Sequence, residues 1–132
     1  MSVTYVALVH KANKKGADYG VIFPDFPGCV SAGKTLEEAL ENAREGLLFH
    51  IDGLLNAGEV LPEPTSLESI KNNAEYRVAT PSLIRIIVPS GCLKRINVSM
   101  DAGLLAEIDR VVNNRGGNRS EFLAAAARHL LA

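Results

Sequence analysis

Tryptophan is absent from this sequence of 132 residues, and cysteine occurs only twice. Cys29 and Cys92 stand alone, without the paired spacing that redox motifs and zinc sites require. We therefore expect two reduced thiols that serve as small apolar side chains. A phosphate-binding loop and a dinucleotide glycine pattern are also missing, so the sequence predicts neither a cofactor nor a metal site.

Long apolar runs are missing too. Leu47–Leu55 and Phe122–Ala132 are the longest nearly apolar stretches, and both are too short to cross a bilayer. The amino terminus lacks the basic segment and apolar block of a secretory signal. Apolar residues make up 47% of the chain and charged residues 22%, which is typical of a globular domain. We expect a cytoplasmic protein with no membrane partner.

The sequence also lacks any arrangement of residues that is typical of a catalytic site. The chain has three widely separated histidines, His10, His50 and His129. None stands in an arrangement with Ser or Cys that suggests a triad. Four glutamates follow one another along a predicted helix, Glu37, Glu38, Glu41 and Glu45, and we interpret them as a solvated surface. The sequence therefore predicts a protein that is not an enzyme.

Charge is distributed unevenly along the chain. Residues 1–88 contain eight Lys or Arg against eleven Asp or Glu, whereas residues 89–132 contain six against four. The apolar pattern also restarts after Pro89–Gly91, and this segment therefore indicates a junction between domains. We therefore predict two domains, 1–88 and 89–132, with different partners.

The first domain is predicted to have the order βββαβ. Its predicted strands are Val3–His10, Tyr19–Phe23, Cys29–Ala32 and Leu83–Val88. Lys11–Gly16 is a polar turn, and Leu67–Asn73 adds a helical turn. A long helix begins after Thr35, with Glu38 at the capping-box position, and ends near Gly58. The fold class is α+β, a small antiparallel sheet with the long helix on one face.

The second domain begins with a strictly alternating segment, Arg95–Met100. Two helices follow, the first from Asp101 and the second capped by Asn118, with a glycine-rich break at Asn113–Gly117 between them. One strand and two helices cannot bury their apolar faces alone. We expect two copies to pair their strands antiparallel, so that one set of side chains enters a shared core: Ile96, Val98 and Met100.

The other side chains of that ribbon point outward: Arg95, Asn97 and Ser99. A two-stranded ribbon fits the major groove, where Arg can bind guanine and Asn can bind adenine through paired hydrogen bonds. The second helix starts with backbone N–H groups suited to a phosphate, at Asn118, Arg119 and Ser120, and Arg119 adds charge. The sequence therefore predicts a DNA-binding tail.

This tail resembles ribbon-helix-helix repressors of the Arc and MetJ kind. The matching segments are Lys94–Met100, Leu104–Asp109 and Gly116–Leu123. The resemblance implies that Arg95, Asn97 and Ser99 read bases in operator DNA, and that the chain is a homodimer through its C-terminal domain. Higher oligomers stay open.

A further resemblance is carried by four segments, Asp18–Gly33, Thr35–Ala39, Ala43–Leu47 and Leu61–Pro64, of which the stretch Phe23–Cys29 is the most specific part. With these segments, essentially the whole chain resembles the HicB family of antitoxins. The resemblance implies an antitoxin that neutralises an mRNA-cleaving HicA toxin and represses its own operon. It also implies a degenerate ribonuclease H-like fold for the first domain. Asp25 is the only carboxylate near the hairpin end, and one carboxylate cannot build a two-metal site. We therefore predict a binding scaffold.

Two alternatives remain at this point. The chain could be a stand-alone ribbon-helix-helix repressor whose N-terminal domain senses a ligand or only oligomerises. A toxin gene beside this one would favour the antitoxin. A metal-dependent nuclease is disfavoured by the missing carboxylates.

Overall fold

The computed structural model describes residues 1–11 and 18–132. Contacts divide them into two units, Met1–Gly91 and Cys92–Ala132. The division falls at the end of the predicted junction, Pro89–Gly91. The predicted turn at Lys11–Gly16 lies outside the described residues, apart from Lys11 itself.

Four antiparallel strands form the sheet of the first unit. They are β1 (Ser2–Lys11), β2 (Tyr19–Ile22), β3 (Val30–Gly33) and β4 (Thr80–Ile87). Their order across the sheet is β3-β2-β1-β4. β1 pairs with β2 from Leu8↔Ile22 onward and with β4 from Ser2↔Ile87 onward. The four strands predicted from the sequence are all present, and β1 is central, as its apolar residues on both faces predicted.

One long helix, α1 (Leu36–Asn56), covers one face of this sheet. The Thr35 hydroxyl accepts a hydrogen bond from the Glu38 N–H at 3.1 Å, which caps the first turn. At the other end, Gly58 has a φ of 77°, and the Glu59 N–H donates to the Leu54 carbonyl at 2.9 Å. This arrangement satisfies the last carbonyls of the helix. The predicted start and end of α1 are confirmed.

The opposite face of the sheet is covered as well, which the sequence did not predict. Val6 and Leu8 of β1 are buried there against Ile70. Ile70 belongs to a short helix, α2 (Leu67–Lys71), which a 3₁₀ turn at Ala74–Tyr76 follows. The helical turn at Leu67–Asn73 was expected, but its packing on the sheet was not. The ribonuclease H-like character of this unit stays a prediction.

The second unit has two helices, α3 (Ala102–Arg115) and α4 (Arg119–Leu131). The Asp101 carboxylate caps α3 by accepting from the Leu104 N–H at 3.0 Å. α3 extends to Arg115, into the predicted break, and the turn itself is made at Gly116 and Gly117 with positive φ values. None of the helices in the described ranges is long and apolar enough to cross a membrane.

Burial within the second unit is slight. Ile108 is its only buried apolar side chain among the described residues. The apolar face of α4 is mostly exposed, with Phe122 and Leu123 partly buried and Ala126, Ala127, Leu130 and Leu131 exposed. Two helices of a single copy enclose too little volume to bury that face. Residues 92–100 form no strand pairing with the other residues that the structure describes, so the predicted ribbon stays a prediction.

Candidate functional site

The proline-rich loop that follows β2 is a rigid part of the first unit. The Phe26 N–H donates to the Phe23 carbonyl, and the Cys29 N–H donates to the Phe26 carbonyl, each at 3.0 Å. The Phe26 ring is buried and meets Tyr5 edge-on, with ring centroids 4.6 Å apart. These turns and this burial fix the loop against the sheet.

Asp25 of the same loop is held by a distant part of the chain. Its carboxylate accepts from the Thr65 hydroxyl at 2.5 Å and from the Thr65 N–H at 3.0 Å. The Tyr5 hydroxyl donates to the Pro62 carbonyl at 2.8 Å. Burial, followed by the Asp25 and Glu63 carboxylates, raises the pKa of Tyr5. A neutral phenol can therefore keep donating this bond, and Asp25 and Tyr5 together hold the connector after α1.

Metal ligands do not gather around Asp25. In the described ranges, no group of three or more His, Cys, Asp or Glu side chains lies close enough to hold an ion. Cys29 is buried, and burial raises the pKa of its thiol, so it acts as a small apolar side chain, as predicted. The same prediction is wrong for Cys92, which is exposed, because the segment before α3 has little to pack against.

The outward face of α1 is acidic and contains one exposed aromatic ring. α1 has five acidic side chains against one arginine, Arg44, and one histidine, His50. Phe49 is 82% exposed, with Glu45 one helical turn before it and Asp52 one turn after it on the same face. The sequence predicted only a solvated acidic surface here. Phe49 was missed, although its position between the buried Leu47 and Ile51 places it off the apolar stripe.

The predicted base-reading residues lie in the segment before α3. Arg95, Asn97 and Ser99 are all exposed. The alternating apolar positions are also open in the single chain, with Ile96 74% and Val98 62% exposed and Met100 partly buried. Which of them a second copy covers stays a prediction.

The start of α4 contains the residues that the sequence predicts to bind a phosphate. Asn118 caps the helix, accepting from the Glu121 N–H at 2.9 Å, and Ser120 is exposed. The Arg119 side chain, predicted to add charge for a phosphate, is hydrogen-bonded to Asp109 of α3 in the free chain, and its role toward DNA stays a prediction. Its Nε lies 2.7 Å from Oδ1, and its Nη2 lies 2.8 Å from Oδ2. This hydrogen bonding lowers the pKa of Asp109.

Asp109 was missed by sequence reasoning for a geometric reason. It lies ten residues before Arg119, and the two meet only because the turn at Gly116 and Gly117 folds α4 back toward α3. The sequence predicts a break there but not the angle between the helices.

Comparisons with known proteins agree along the length of the chain. Residues 5–127 match the family described as "HicB_like antitoxin of bacterial toxin-antitoxin system". The crystal structure of the Burkholderia pseudomallei antitoxin HicB is 34% identical, with a TM-score of 0.61, over 98% of this chain and 99% of that chain. An uncharacterized 14.9 kDa protein from the rep-hol intergenic region of Haemophilus phage HP1 is 37% identical over 131 residues, 96% of each chain.

One chain in the structure of a two-protein complex is also similar to this chain. It is named as the HicA3 and HicB3 toxin-antitoxin complex. The matching chain is 25% identical, with a TM-score of 0.50, and the match covers 66% of this chain and 99% of that chain.

Proposed function

This chain belongs to the family of HicB-like antitoxins, and from that premise we propose that it neutralises a HicA-type ribonuclease toxin and represses its own operon. The observation that carries this proposal is the likeness to the antitoxin HicB of Burkholderia pseudomallei over nearly the full length of both chains. The similar complex of HicA3 and HicB3 supports a toxin as the partner.

The outward face of α1 is the surface we assign to the toxin. A ribonuclease that binds the phosphates of RNA needs positive charge, and the exposed carboxylates Glu45 and Asp52 complement such a surface. Phe49 stands between them with 82% of its surface open to solvent. An aromatic side chain that becomes buried at the centre of an interface commonly contributes a large share of the binding energy.

The tail is the part we assign to operator DNA. Its helices follow the order of ribbon-helix-helix repressors, and Arg95, Asn97 and Ser99 are open to solvent before α3. Dimerisation would cover the exposed Ile96 and Val98, because their burial removes apolar surface from water. A two-stranded ribbon so formed fits the major groove.

Co-expression with the product of the adjacent toxin gene tests the antitoxin proposal. The tagged chain should restore growth and retain the toxin through purification. Phe49→Ala should weaken toxin binding by about tenfold or more, the effect expected of an interface anchor. Val78→Ala is the matched control, since Val78 is 93% exposed in the same unit and should have no effect.

Two results would contradict the proposal in different ways. A chain that neither protects cells nor retains the toxin would overturn the antitoxin function itself. Protection with equal toxin affinity in Phe49→Ala and the wild type would keep the function and move the toxin surface away from α1.

A further inference from the structure

The helix α1 contains two glycines, and packing in the described part of the chain explains only one of them. A Cβ at Gly46 would lie 3.1 Å from the Ser31 Oγ, so a glycine there lets the helix approach β3 closely. Gly53 is exposed, and a Cβ there would meet no described atom within 4 Å. Glycine is a poor helix former compared with alanine, so the fold gains nothing from a glycine at position 53.

Backbone geometry does not explain Gly53 either. It is not one of the glycines with a positive φ, so an ordinary side chain fits its conformation. The Ala57 N–H donates to the Gly53 carbonyl at 3.1 Å, and the helix therefore continues through this residue without a break. Because packing and geometry would both accept a side chain, we look for the reason on the outer surface of α1.

The space over Gly53 lies beside an aromatic ring and a carboxylate. Phe49 lies one helical turn before Gly53 and Asn56 one turn after it, while Asp52 neighbours both Phe49 and Asn56 on the helix surface. Phe49 is 82% exposed, and Asp52 and Asn56 are exposed as well. The Asn56 amide donates to the Asp52 carboxylate at 3.5 Å. We call this open space, with Phe49 and Asp52 beside it, the Gly53 notch.

We propose that the Gly53 notch binds one arginine side chain of the toxin. A guanidinium is planar and charged, so it can stack on the Phe49 ring while its N–H groups bind the Asp52 carboxylate. The absence of a side chain at Gly53 lets the aliphatic stem of that arginine lie directly on the helix. A ribonuclease that binds RNA phosphates has such side chains on its surface. This inference deepens the proposed antitoxin function and rests on it.

Gly53→Leu tests the shape of the notch, because it fills the space without changing the charge of the surface. Affinity for the toxin should fall about tenfold or more, the effect of overpacking a close contact. The thermal midpoint should stay the same or rise, since leucine is a better helix former than glycine. Calorimetric titration with the product of the adjacent toxin gene measures the affinity, and circular dichroism measures the midpoint.

Val78→Leu is the matched control for added bulk. Val78 is 93% exposed in the same unit but lies outside α1, so this variant should bind the toxin as the wild type does. A loss of affinity without a loss of stability in Gly53→Leu cannot come from a folding defect.

Asp52→Asn tests the charge of the notch, because it preserves the shape of the side chain. Affinity should fall about fivefold or more and should depend less on salt concentration. Glu68→Gln removes the same charge from an exposed position of α2 and should leave toxin binding unchanged. Phe49→Ala combined with Asp52→Asn should weaken binding by less than the product of the two single effects, because both side chains contact the same guanidinium.

The contrary results separate this inference from the antitoxin function. Wild-type affinity in Gly53→Leu, or effects of Phe49→Ala and Asp52→Asn that simply multiply, would overturn the arginine site and leave the toxin surface on α1. A wild-type chain that does not bind the toxin would overturn the proposed function and the notch together.

A change of charge at the notch supplies a further check. If Asp52→Asn and Glu68→Gln lower the affinity equally, the carboxylate acts only through the overall charge of the unit, and the assignment of a specific ion pair at Asp52 is wrong.

Discussion

Asp25 shows how a residue type can be predicted while its role is not. The sequence marks it as the only carboxylate near the hairpin end, and a lone carboxylate argues against two-metal chemistry. In the structure this carboxylate instead holds the connector after α1, because Thr65 donates hydrogen bonds to both of its oxygens. The partner lies forty residues away, and no local pattern in the sequence identifies such a pairing.

Arg119 and Arg95 were both assigned to DNA from their type and position, but their surroundings in the structure differ. The guanidinium of Arg119 is hydrogen-bonded to Asp109. Arg95 is exposed and has a position that alternates with the apolar residues of the predicted ribbon. The assignment of Arg95 therefore stays a prediction, and it can be tested by substitution.

Arg95→Ala should weaken operator binding by about 1–3 kcal/mol for each base whose paired hydrogen bonds it removes, and two copies face the DNA in a dimer. The loss of affinity should be larger on operator than on scrambled DNA, because hydrogen bonds to base edges carry sequence preference. Binding is measured on both duplexes at several salt concentrations. An equal loss of affinity on the two DNAs would show that Arg95 does not read bases.

At the scale of elements, the local signals of the sequence were sufficient for most of the first unit. The Thr35 cap, the apolar stripe and the Gly58 stop define α1, and the structure has a helix with those ends. Packing between elements was harder to predict. The apolar residues on both faces of β1 predicted a central strand, but a helix as short as α2 has too weak a periodicity to be identified from the sequence as the cover of the second face.

Gly33, at the end of β3, lies where this strand approaches the backbone of α1 closely. A Cβ at this position would lie 2.4 Å from the Ala39 nitrogen and 2.7 Å from the Ala39 Cα. Because backbone atoms of α1 cannot move aside alone, Gly33→Ala should destabilise the protein by about 2–3 kcal/mol. Urea unfolding followed by circular dichroism measures the change.

Gly53 provides the control for this substitution. It lies in α1, and a Cβ there would meet nothing within 4 Å. Gly53→Ala should therefore stabilise the protein by about 0.5–1 kcal/mol, the usual gain of alanine over glycine in a helix. If Gly33→Ala is tolerated as well as Gly53→Ala, the close approach of β3 to α1 is not a constraint on the fold.

At the scale of the whole molecule, the two domains predicted from the sequence stay a prediction, and so does the environment of the tail. A change of charge and a restart of the apolar pattern predict a junction at Pro89–Gly91, and contacts divide the described residues after Gly91. The apolar faces of the tail, by contrast, stay largely open. Their predicted partner is a second copy, so one chain by itself cannot display the core that the pattern predicts.

Val98→Asp in the full chain tests whether dimerisation and DNA binding belong to the tail and toxin binding to the first unit. Val98 is 62% exposed in one chain, so a carboxylate there costs little until two copies meet. In the predicted dimer it would place two charges in a shared core, at a cost of about 3 kcal/mol or more for each unpaired charge. The variant should therefore lose dimerisation through the tail and operator binding, while it still binds the toxin and protects cells.

Sedimentation, a gel-shift assay and co-purification with the toxin measure the three properties in one set of samples. Val78→Asp makes the same substitution at a side chain that is 93% exposed in the first unit, and it should change neither the assembly nor DNA binding. Phe49→Ala should give the reverse of Val98→Asp, with toxin binding weakened and operator binding kept. Full operator affinity in Val98→Asp would show that the tail does not dimerise through this segment. Loss of toxin binding in Val98→Asp would show that the two units depend on each other, because inhibition would then require the assembly that the tail sets.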